Sequence, residues 1–282
     1  MALSGTRVFQ GGAESVRRIG SHLQILTMSV MFRSTINAVI REEALSATEV
    51  YERMSALADS LSSVHPLLRA WVEPPRRGDP GAVELADASR FKRRIERNAA
   101  EDAHSYPTLP TAGGAEASLR NARTDADWAK AGRTIISYTP WCGRLELDIK
   151  DPVGAFGERL APVVVRGCIA ALAETLDTSF IAADVYAWRQ NEEGYDTYAL
   201  DHRLFPHRRW LGWMGFVPEL VPHRYLPEAA AVHVVTGRGT IIVSVEGCLD
   251  LRNRAHLRQV HEVEARMAQL GLLDVTDATL LD

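Results

Sequence analysis

Two β-branched runs flanking Gly237-Arg238-Gly239 constrain this chain more than any other stretch. Val232, Val234 and Val235 precede the glycines, and Ile241, Ile242, Val243 and Val245 follow them. Glycine supplies the positive φ that tight turns need, so the pattern predicts an antiparallel hairpin. Upstream, Trp210 to Val217 reads as an aromatic-rich third strand, closed by Pro218, Pro222 and Pro227. Downstream, Asn253 is placed to cap a helix. In that helix Leu257, Val260, Val263, Met267 and Leu270 recur at spacings of three and four, which is one helical face. Gly271 stands at its C-cap. Strand, hairpin and closing helix carry no catalytic signature.

The rest of the chain repeats this mixture. Phe32 to Ile40 alternates and is rich in β-branched residues, a strand. Ser46-Ala47-Thr48-Glu49 is a capping box, and Val50, Met54, Leu57, Leu61 and Val64 give the following helix an apolar stripe as far as His65-Pro66. Leu67, Leu68 and Trp71 continue that surface in a turn. After a loop from Glu73 to Gly81, Ala88 to Ala103 reads as a helix whose arginines form a solvated face with Glu96 and Glu101. Arg133 to Thr139 and Arg144 to Lys150 are strands joined at Pro140 to Gly143. In the second, Leu145, Leu147 and Ile149 face one way, Glu146 and Asp148 the other. Pro162 opens a helix reaching Leu176, and Phe180 to Trp188 is a strand. The expected fold is α+β, a mostly antiparallel β-sheet packed with amphipathic helices. Residues 1–27 are expected to form a flexible leader, and residues 28–282 one domain, with an internal boundary candidate at 107–114.

Composition excludes several classes. The net charge is −4, from 36 acids against 32 bases, which argues against general basic attraction to nucleic acid. No run is apolar enough to span a membrane, and no convincing export signal precedes the fold, so a cytoplasmic location is expected. Cys142, Cys168 and Cys248 are isolated and read as reduced thiols. Among the nine histidines no H-E-x-x-H occurs, and His256 and His261 would lie about 140° apart around a helix. Gly237 and Gly239 lack nucleotide-loop spacing. No catalytic set, cofactor or metal is expected.

Aromatics and acids gather instead between Glu192 and Trp213. Glu192, Glu193, Tyr195, Asp196, Tyr198 and Asp201 form a loop suited to gripping a basic protein: acids steer, aromatics bury area. The loop tyrosines Tyr195 and Tyr198 can equally serve the core, and Trp213 reads as a core residue of its strand. The competing reading is a small-molecule enzyme with a cleft around Tyr198, Asp201, His202 and His207, and a third is an adaptor subunit exposing an apolar patch.

The segment His65-Pro66-Leu67-Leu68-Arg69-Ala70-Trp71, with Gly212-Trp213-Met214, the Gly239 hairpin, the Asn253 to Leu270 helix and Gly271-Leu272-Leu273, resembles the immunity protein 52 family of bacterial polymorphic toxin and type VI secretion systems. The resemblance spans residues 30 to 275 or so. It implies an α+β inhibitor that binds a cognate toxin, a basic nuclease effector with a restriction-endonuclease-like fold. Such an inhibitor has no direct contact with nucleic acid or membrane. An acidic inhibitor suits a nuclease that must carry bases to hold phosphates.

Overall fold

The computed structural model describes residues 31–281, apart from residues 77, 80, 106, 109–113 and 190–193. The expected leader, most of the 107–114 stretch, and Glu192 and Glu193 lie outside the described residues. In chain order the elements are β1 (Met31–Ile40), α1 (Ala47–Val64), β2 (Val72–Glu73), β3 (Val83–Glu84), α2 (Ala88–Ser105), β4 (Ala117–Arg120), α3 (Asp125–Trp128), β5 (Thr134–Thr139), β6 (Arg144–Lys150), α4 (Pro152–Phe156) and α5 (Ala161–Thr175). They continue with β7 (Thr178–Trp188), β8 (Tyr195–Thr197), β9 (Met214–Val217), β10 (Ala231–Val235), β11 (Gly239–Val243) and α6 (Arg254–Gln269).

Local chemistry sets the ends of these elements. Ser46 and Glu49 form the capping box that starts α1. Asn253 accepts the Ala255 amide at the start of α6, and Gly271 follows its end at a φ of 73°. Between β5 and β6, Gly143 takes a left-handed φ of 67° and its amide donates to the Pro140 carbonyl. The aromatic strand is shorter than the sequence suggests. The strand itself is Met214–Val217, while Gly212 makes an isolated parallel bridge to Ala183 and the buried Glu264 of α6 accepts the amides of Leu211 and Gly212.

The strands form an 11-stranded sheet in the order β10-β11-β9-β7-β1-β6-β5-β4-β2-β3, with β8 pairing beside β9 on β7. Every strand pairing is antiparallel. β1 lies centrally, between β6 and β7. Alternation along each strand sends one set of side chains into the main core. Ile36 and Ala38 of β1, Leu145, Leu147 and Ile149 of β6, and Ile136 and Tyr138 of β5 meet Val50, Met54, Leu57 and Leu61 of α1 and Val165, Ile169 and Leu172 of α5. Each buried valine, leucine, isoleucine or methionine among them contributes about 1.5–3 kcal/mol by leaving water. A second core forms on the opposite sheet face, where Val263 and Met267 of α6 close over Phe180, Ala182, Val217 and Ile242. No helix of the described residues is long and apolar enough to cross a membrane.

Candidate functional site

The second sheet face is covered along only half its width. Its register rows run Ser118, Ser137, Glu146, Asn37; then Arg120, Ile135, Asp148, Thr35, Asp184; then Lys150, Arg33, Tyr186, Thr197. These residues alternate with the core residues of the same strands, so a pleated sheet turns them together to the other side. Towards β9 and β11 that side is apolar, and α6 covers it. Over β4, β5, β6 and β1 it is polar. α3 reaches it through Trp128, whose ring meets Arg133 and Arg120.

Asp148, nearly inaccessible at 4 %, organises the polar half. It accepts from Arg33 Nε, from Arg133 at 3.4 Å and from the Thr35 hydroxyl at 3.1 Å. The Arg33 guanidinium lies 4.6 Å from the Tyr186 ring centre. That of Arg133 lies 4.4 Å from the Trp128 ring, and that of Arg120 5.6 Å from it. The Nε atoms of Arg120 and Arg133 are both buried and have no hydrogen-bond partner. This half of the face therefore bears Arg33, Arg120, Arg133, Arg144 and Lys150 against Glu146 and Asp148, on a chain that is acidic overall.

Beside the arginines lies an aromatic corner. Phe32 stacks on Trp188 with ring centres 4.3 Å apart, and Tyr195 sits 5.2 Å from Tyr186 and 5.7 Å from Phe32. A bulge in β1 between Met31 and Arg33 occurs at Phe32, and β8 pairs Tyr195 opposite Trp188. Trp188 and Tyr195 remain 50 % and 44 % exposed. A groove of about 580 Å³ runs from Tyr195 and Tyr186 past Asn37 and Glu146 to Ser137 and Arg144, with Leu200 and Trp210 on its rim.

The loop residues singled out in the sequence part company here. Tyr195 is exposed on the uncovered face. Tyr198, three residues on, is fully buried against Trp210 and His261, so the core reading holds for it and it offers no surface to a partner. Burial, with Glu264 close by, pushes its phenol well above the ordinary range. A π-helical turn from Tyr198 to His202 makes the difference. Asp184 holds that turn: its Oδ1 accepts the amides of Val185, Tyr198 and Ala199, and burial pushes its pKa up to about 6. Asp196 and Asp201 share Arg189, at 2.7 and 3.4 Å, and Asp201 also accepts the Thr197 amide. Trp213 is a core residue, its indole N–H donating to the Gly247 carbonyl.

Asp201, His202 and His207 do not converge on a cleft. Asp201 turns to Arg189, His202 buries its Nε2 without a partner, and His207 packs beside Phe205. No group of three or more His, Cys, Asp or Glu among the described residues could hold a metal ion. Sequence reasoning missed Phe32, Arg33, Arg120, Trp128, Arg133 and Trp188. The signal available was the alternation of Arg33, Thr35 and Asn37 with Ser34, Ile36 and Ala38, which marks a strand with one wet face.

The family model described as immunity protein 52 matches residues 38–276. Among solved structures, the Pseudomonas aeruginosa T6SS protein PA0821 is similar at a TM-score of 0.46 and 11% identity, over 83% of this chain and 76% of that one. No curated protein matches the chain.

Proposed function

The chain belongs to the immunity protein 52 family, and from that premise we propose that it binds a cognate toxin and neutralises it by direct protein–protein contact. The observation that supports this most is the half-uncovered sheet face, with tyrosine, tryptophan and arginine concentrated on it. Those three residue types are enriched among interface hot spots; tyrosine and tryptophan bury large areas with only two torsions to freeze, and arginine adds a planar fork of donors. The toxin is a nuclease effector with a restriction-endonuclease-like fold, delivered by a contact-dependent secretion machine and met in the cytoplasm. Glu192, Glu193 and Asp196 border the aromatic corner in sequence and steer a basic nuclease towards it.

Co-expression tests the reading. The neighbouring toxin gene, induced with and without this chain, is expected to kill alone, to be tolerated with the chain, and to co-purify with it. A harmless neighbour that does not co-purify would sink the proposal. Reversing Glu192 and Glu193 to lysine is expected to slow association roughly tenfold with little change in dissociation. Unchanged association kinetics would remove the loop from the interface. Asp196 is a weaker probe, since its charge is already offset by Arg189.

A further inference from the structure

Resting on that reading, we infer that the toxin segment seated on the uncovered sheet face presents carboxylates, received by Arg120 and Arg133 at Trp128. The guanidinium groups outnumber the acids that could hold them. Asp148 serves both Arg33 and Arg133, and Glu146 lies 3.8 Å from Arg33. Arg120 has no carboxylate partner among the described residues; its guanidinium lies over the face of Trp128. Both Nε donors are buried and unpaired, so a partner meets these half-buried side chains at the ends of their guanidinium groups. The indole, 41 % exposed, is a platform against which two guanidinium groups lie, and the planar fork of a guanidinium matches a carboxylate in two parallel hydrogen bonds.

Charge favours protein over nucleic acid as the occupant. Glu146 is about half exposed beside Arg33, and Asp148 sits between Arg33 and Arg133. A continuous polyanion laid on this face would meet the exposed Glu146, whereas discrete carboxylates on a folded partner need not. The two electrostatic elements then divide the work. The acidic loop steers a basic toxin from a distance, and the arginine seat reads its carboxylates at contact.

The test uses the full chain and the co-expressed product of the neighbouring toxin gene, with dissociation constants measured by calorimetry and folding checked by melting temperature. Arg120→Glu is expected to weaken binding at least roughly thirtyfold, and Trp128→Ala roughly tenfold. Arg120→Lys, which keeps the charge and loses the fork, falls between wild type and Arg120→Glu. Arg90→Glu, at an exposed position of α2, is expected to match wild type. Folded Arg120→Glu that binds the toxin like wild type overturns the seat while leaving the immunity reading intact. Failure of the wild type to bind removes both. A 20-base-pair DNA duplex serves as the alternative probe. If the wild type binds it, Arg120→Glu loses it, and toxin binding does not change, the face is a nucleic-acid seat and the inference is wrong.

Discussion

Asp184 shows how one side chain couples the sheet to the turn that follows β8. All three of its amide donors reach Oδ1, so Oδ2 is left to carry a proton. Its pKa, pushed up to about 6 by burial from an ordinary 3.8, is higher in the folded chain than in the unfolded one. The stabilisation it gives is therefore complete below about pH 4 and is lost as pH rises through about 6. A shift of this size is worth about 2–3 kcal/mol. Asp184→Asn keeps an acceptor at Oδ1 and cannot ionise. Its stability relative to wild type is expected to rise between pH 4.5 and 7.5, by about 2 kcal/mol. Denaturant unfolding at the two pH values checks this; an unchanged difference between the proteins would show that Asp184 does not titrate in this window. Neighbouring Tyr195 and Tyr198 make the complementary point about legibility. Both are tyrosines in one acidic stretch, and only the turn that begins at Tyr198 decides which is buried.

At the scale of elements, the hairpin carries two glycines with different duties. Gly237 has a φ of 70° with open space around it, so Gly237→Ala is expected to cost about 1 kcal/mol of backbone strain. A side chain at Gly239 would overlap the Val217 carbonyl oxygen and the Pro218 backbone, and Gly239→Ala is expected to cost about 3 kcal/mol or more. Thermal melts of the pair check the ordering, and equal losses would show that conformation rather than crowding governs both. Between them, Arg238 donates to the carbonyls of Ala173 and Leu176 at the end of α5, satisfying groups that a helix terminus leaves unpaired. The turn was legible from its residues. The docking of Arg238 on a helix some sixty residues away was not, because nothing local encodes it.

The whole molecule ends at one side in β10, an edge strand with Val234 65 % exposed and no lysine or proline to discourage pairing. Val234→Lys is expected to leave stability within about 0.5 kcal/mol and to reduce self-association on concentration. Light scattering of both proteins tests it; equal self-association would show that this edge is already shielded. The opposite halves of the second sheet face show the same economy at larger scale. Where Val39, Phe180 and Ala182 are apolar, α6 closes the surface; where Arg33, Glu146 and Arg120 stand, it stays open.

The amino-acid order by itself determined the α+β class, the capped helices, the hairpin and the two-sided character of β1 and β6, because these rest on periodicity and turn chemistry within a few residues. The family followed from short motifs spread over the same elements. Tertiary structure alone decided the site. Arg120, Asp148, Arg33 and Asp184 come from four strands, and only pairing across the sheet places them in neighbouring rows. Register slips of one residue would have sent each to the core, and the energy that forbids the slip is the burial of Leu119, Leu147, Ile36 and Ala183 on the other side.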